Sequence, residues 1–187
     1  ISVTGVQTCA LPIYSSASAL PAALVALALL DVADPAYAAH ARSTLLPLFD
    51  YLPADRTGLA QAAPTIRAYL ELPESTRLQL SAQLRDLAER LDARRPELVA
   101  ATGSPEGVDA AIHAARVAVG ADAFLAAMSA GPTRTWPPAN IRDRVMATTV
   151  DWVLDREDRI VVAAANGHVQ KTPYSAPPFV PEPLATL

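Results

Sequence analysis

Leu80, Leu84, Leu87 and Leu91 recur at i, i+4, i+7 and i+11 between Glu74 and Arg94. A helix puts that spacing on one face. Arg77, Arg85, Glu89 and Arg90 take much of the opposite face, so the leucine stripe must be buried against other elements of the same chain. Punctuation on both sides agrees with a helical architecture. Asp34-Pro35 reads as an N-cap followed by proline at N1, and Ser104-Pro105-Glu106 repeats the arrangement with an acidic residue at the positive helix end. Pro21 suits a first turn, predicting a helix from Pro21 to about Val32. Pro47 should kink or end early the helix that starts at Pro35 and otherwise runs to about Tyr51. Pro96 opens a short helix through Ala101, with Gly103 as its C′ residue. The helix from Pro105 to about Ala130 carries Val108, Ile112, Ala115 and Val119 on one stripe, and Gly120 within it permits close packing or a small bend. Thr133 to Pro138 reads as a loop. Tracts this rich in helix signals predict a mostly α-helical chain, about five to seven helices with one or two β-strands near the C-terminus.

Composition narrows the class. The net charge is −4 and aromatic residues make up 5%, with no basic patch, so nucleic acid is not an expected partner. Lys171 is the single lysine among 15 basic residues, and the chain has 17 prolines, a bias of GC-rich bacterial genomes. Ala19 to Val32 has the apolar length of a signal h-region. However, no Lys or Arg precedes Arg42, and the run is shorter than the roughly 20 residues a bilayer needs. A buried helix is the expectation there, with no membrane partner and a cytoplasmic location. Cys9 is the only cysteine, and no His-x-x-x-His or Cys cluster is present, so neither a metal nor another cofactor is expected.

The chemistry gathers near the C-terminus. Asn140-Ile141-Arg142-Asp143-Arg144-Val145-Met146-Ala147 is followed by Trp152, then Ile160-Val161-Val162-Ala163-Ala164-Ala165-Asn166-Gly167-His168-Val169. This reads as helix, tight turn, buried strand and a polar Asn-Gly-His corner. A helix of about 16 residues spans roughly 24 Å and a strand of about six spans roughly 20 Å. If the two are antiparallel neighbours, Asn140, Arg142 and Asp143 share a rim with Asn166 and His168, where ligands collect in α/β folds. Imidazole serves as base or acid near neutral pH. An amide and a backbone N–H beside a glycine can hold an oxyanion. A carboxylate can orient an imidazole, and Arg142 can bind a carboxylate or pair with Asp143. The same residues also suit a plain turn and a first helical turn favoured by the dipole. His40 and His113 lie on Ala-rich helices without a partner at ligand spacing and read as structural or exposed.

The Arg-Asp-x-x-Met-Ala stretch, Trp152 and the apolar run ending Asn-Gly-His-Val resemble the erythromycin esterase family, and Asp31-Val32-Ala33-Asp34-Pro35 with Ala38 and Arg42 is similar to an earlier stretch of it. The resemblance runs from about Leu30 to about Val169 and implies an α/β fold and hydrolysis of macrolide lactones or similar esters, hence a role in antibiotic resistance. It implies His168 as a catalytic residue, with Asn166, Arg142, Asp143 and Asn140 on the substrate. Three positions depart from the family pattern: Ala165 stands where a second histidine is common, Ala163 where tryptophan is, and Thr149 where asparagine is. The family's principal base resembles a histidine near a Gly-Glu sequence, which residues 14–187 lack. Val3 to Ile13 resembles a translated sequencing adapter. The expected organisation is therefore a non-native segment at 1–13 and a partial domain at 14–187. That domain divides into a helical region to 135, a helix–strand–histidine segment at 136–170 and a Pro-rich loop at 171–187. A partial domain missing its N-terminal part would be inactive by itself. The alternative is a non-catalytic helical module that binds a ligand or a partner.

Overall fold

The computed structural model describes residues 18–53, 62–129 and 136–160. Seven α-helices and one 3-10 turn account for most of them. In chain order they are α1 (Leu20–Ala33), α2 (Pro35–Leu45), the 3-10 turn Leu46–Phe49, α3 (Ala62–Glu71), α4 (Glu74–Ala93), α5 (Arg95–Thr102), α6 (Pro105–Met128) and α7 (Trp136–Leu154). The mostly helical expectation holds, and no strand occurs among the described residues. The strand expected from Ile160 lies outside them except for Ile160 itself, which has no regular structure.

The termini form for the reasons the sequence suggests. Asp34 accepts the Tyr37 N–H at 3.3 Å and Ser104 accepts the Gly107 N–H at 3.1 Å, so each cap satisfies one donor that the first turn leaves orphaned. Gly103 closes α5 in the left-handed region at φ 68°, where a Cβ would be strained. Pro47 tightens the end of α2 into the 3-10 turn rather than letting the helix run on to Tyr51. One reading needs correction, and one helix was not read at all. The stretch 133–138 is not loop throughout, because α7 already starts at Trp136 and takes Pro137 and Pro138 into its first turn, where a missing N–H costs nothing. Helix α3 was not among the helices read from the sequence, although Ile66, Tyr69 and Leu70 stand at helical spacing. Its buried face is Thr65 and Tyr69, and Pro64 stands third in the helix.

Helix α6 is the axis of the bundle. α1, α4 and α7 pack along it, while α3 and α5 meet it over shorter lengths. Paired residues set their directions. Ser81 and Asp92 of α4 meet Asp122 and Arg116 of α6, so α4 runs antiparallel to α6. Arg142, Val145 and Trp152 of α7 meet Phe124, Gly120 and His113, so α7 is antiparallel as well. By length and composition α6 could cross a bilayer, but it is enclosed by helices and carries the buried carboxyl of Asp122. Helix α1 buries Ala23, Ala26, Leu27 and Leu30 and exposes Leu24, Val25 and Val32 on its far side. The leucine stripe of α4 is fully buried, with Leu80, Leu84 and Leu87 at 1% and Leu91 at 0% exposure.

Polar groups tie the helix ends together. The Asp34 carboxylate that caps α2 also meets Arg90 at 3.4 Å and Arg94, joining the α1–α2 corner to the end of α4. Its pKa is lowered, first by the Tyr37 N–H and then by the two guanidiniums, against an opposing effect of desolvation. Arg90 lies 3.9 Å above the Tyr37 ring, and the Tyr37 hydroxyl donates to Asp86 at 2.8 Å. Deeper in, Tyr69 donates to Asp122 at 3.0 Å and Ser81 donates to its other oxygen, so one buried carboxyl fastens α3 and α4 to α6.

Candidate functional site

The predicted rim begins on α7. Helical spacing puts Arg142, Val145, Thr149 and Trp152 on the face toward α6. The approach is close because α6 offers Gly120 there: a Cβ at that position would run into Val145 Cγ2 and lie 3.3 Å from Cγ1. The close packing expected of this glycine is therefore the packing of α7. Thr149 is buried, and its hydroxyl donates to the Val145 carbonyl at 3.0 Å, so it is spent on its own helix.

Near the start of the same face, Arg142 and Asp143 stand side by side. Their side chains are 26% and 19% exposed, with Arg142 Nε 4.0 Å from Asp143 Oδ1. The guanidinium lies 5.8 Å from the centre of the Phe124 ring of α6, within cation–π range. Burial lowers the Arg142 pKa and the Asp143 charge opposes the change; burial raises the Asp143 pKa and the Arg142 charge opposes that. Both directions say that loss of water outweighs attraction at this separation. The guanidinium still keeps its charge, since arginine does not lose its proton in proteins. Asn140 is half-buried one turn earlier, and its Oδ1 is buried without a hydrogen-bond partner. Because α7 starts at Trp136, Arg142 and Asp143 lie past its first turn. A dipole preference at N1–N3 therefore does not explain Asp143.

Arg142 and Asp143 are thus brought together on half-buried helix surface at the α6–α7 seam, with Asn140 about one turn before Asp143. Asn166 and His168, the other half of the predicted rim, lie outside the described residues. His40 is exposed and His113 half-buried at the other end of the seam, where it stacks on Trp152. No group of His, Cys, Asp or Glu among the described residues is arranged to hold a metal ion. Phe124, the aromatic floor under Arg142, was not legible beforehand, because nothing in the sequence indicates which α6 side chain faces α7. Asp122 had a signal, as the one acid in the apolar second half of α6, but its partner Tyr69 sits on α3, which was not read as a helix. A hollow of about 240 Å³ lies between α4 and α6, lined by Arg85, Ala88, Glu89, Asp92, Arg116 and Val119. Its lining includes none of the predicted site residues.

Comparison with known proteins gives one result that covers most of the chain. A family model described as Erythromycin esterase matches residues 13–176, a range that includes all of α1 to α7 and every predicted site residue. No curated protein and no solved structure matches the chain.

Proposed function

The chain belongs to the erythromycin esterase family, and we propose that it is part of a hydrolase that opens a lactone or similar small-molecule ester with water. In this reading the histidine near a Gly-Glu sequence that the family resemblance implies takes a proton from water as the oxygen bonds to the ester carbonyl carbon, and His168 serves beside it as proton donor. The ring C–O bond then breaks, and the leaving alkoxide recovers the proton. The product is a hydroxy acid heavier than the lactone by one water. Asn166 and the Gly167 N–H hold the developing oxyanion. Asp143 orients the imidazole, while Arg142 and Asn140 bind the substrate's oxygens. Support comes from the family match, which spans 140–143 and 166–168, joined to the half-buried Arg142–Asp143 pair. A charge kept from water acts more strongly on a bound ester than one on an open surface.

Residues 14–187 contain no Gly-Glu sequence with a nearby histidine, so in this reading the 187-residue chain alone is expected to be inactive. The test is a macrolide incubated with the full-length protein and followed by mass. The expected product gains one water, and His168→Ala lowers the rate by at least about 100-fold. An unchanged rate in that variant removes His168 from the mechanism. Ala165, standing where a second histidine is common in the family, favours a second reading in which the scaffold binds its ligand without cleaving it. Macrolide binding with no mass change in the full-length protein would select that reading.

A further inference from the structure

We propose that the His113–Trp152 stack is a proton-operated clasp: an uncharged imidazole holds the last turn of α7 on α6, and protonation releases that turn. The rings lie 4.6 Å apart and 13° from parallel, a stacked contact of two aromatic faces. Imidazole Nε2 is buried and has no hydrogen-bond partner, so a proton added there would meet neither water nor an acceptor. The charged neighbours make that worse. Arg156, just past α7, sits 4.1 Å from the Trp152 ring centre, and Arg116 lies one turn along α6 from His113.

The nearby carboxylates are already engaged. Asp109, one turn before His113 on α6, binds Arg95 of α5 at 2.6 and 3.0 Å and Arg156 at 3.8 Å. Asp92 of α4 binds Arg116 at 2.8 Å. An imidazolium would therefore be a third cation beside two guanidiniums. The His113 pKa is accordingly lowered, first by burial and then by Arg156 and Arg116. A depressed value means the folded state binds the proton less well than the unfolded chain does. The clasp is at full strength above the ordinary imidazole value and is lost as pH falls through the lowered one. Release would be local, since Gly120 and Val145 hold α7 further up. The turn that loosens is the one from which the chain runs on toward Asn166 and His168. None of this depends on the proposed hydrolysis.

The test is the fluorescence of Trp152, as the only tryptophan of a Trp136→Phe chain, titrated from pH 8 to pH 5. The expected result is a loss of intensity with a red shift of emission, with a midpoint below the ordinary histidine value of 6.5, abolished by His113→Gln. A midpoint at or above 6.5, or a transition that survives His113→Gln, overturns the clasp. If the glutamine variant does not fold, the imidazole proton resonances of the unmutated chain decide the matter. The clasp requires one histidine in contact with a tryptophan to titrate below the ordinary imidazole value of 6.5, and titration at or above that value contradicts it.

Discussion

The two long seams of α6 are built on different principles. Toward α4 the seam is a buried leucine stripe beside a surface hollow, with one buried carboxyl whose two oxygens both accept hydroxyl hydrogen bonds. Toward α7 it is a glycine notch receiving a valine, with a half-buried Arg–Asp pair near one end and a stacked histidine without a hydrogen-bond partner near the other. Buried leucines with a satisfied carboxyl make a scaffold. A seam set by one glycine notch, with a buried imidazole nitrogen lacking a hydrogen bond, makes a surface on which small changes in charge or volume move a helix. The predicted site residues of the described region all stand on α7, the helix of that second seam.

The contrast would fail most visibly at Leu87. It is 1% exposed in the α4 stripe, and Leu87→Ala should cost about 2–5 kcal/mol, read as a lower denaturant midpoint. A loss below about 1 kcal/mol would mean the stripe is not the scaffold. Next is Gly120→Ala, where the added methyl has no room beside Val145. It should cost about 1–3 kcal/mol, and Val145→Ala should recover most of that in the double variant. Independent, additive losses would deny the notch.

A smaller effect is expected at Asp122, where burial raises the carboxyl pKa while Ser81, Tyr69 and Arg85 pull it down. With the folded value raised, the native state holds the proton more tightly than the unfolded chain. Stability relative to Asp122→Asn should then fall as pH rises from the ordinary carboxyl value of 3.8 through the raised one, and level off above it. Unfolding midpoints of the two proteins across that range give the answer, and a rise would show that the network prefers the carboxylate. The least effect belongs to the exposed Arg116–Asp92 pair, at 60% and 52% exposure. There, Arg116→Ala should change stability by less than about 1 kcal/mol in thermal unfolding.

Much of the scaffold was legible because it rests on local rules. The stripe on α4, the proline and cap signals at Asp34 and Ser104, the glycine at 103 and the brake at Pro47 all act within a few residues of themselves. What stayed hidden was set by distant partners. α3 carries Ile66, Tyr69 and Leu70 at helical spacing, but the acceptor of its Tyr69 hydroxyl, the Asp122 carboxyl, lies across the bundle on α6, which no local rule reveals. α7 starts before Asn140 because prolines that look like loop formers are tolerated in a first turn. Helix spacing sets Asn140 one turn before Asp143 but turns it away from Arg142, so the three do not form one face by spacing alone. Phe124 beneath Arg142 and His113 against Trp152 follow from how two helices register, which no single segment encodes.

A pair of disulfides tests the central claim, that the start of α7 and the Asn-Gly-His corner share one rim. In a Cys9→Ser chain, Gly120→Cys with Val145→Cys serves as the control, because the two Cβ positions lie 3.4 Å apart, close to disulfide spacing. Asp143→Cys with His168→Cys is the measurement. The account predicts that both pairs oxidise within one molecule at similar rates under mild conditions. Closure of the control with no intramolecular bond between positions 143 and 168 would place the imidazole elsewhere and contradict the account.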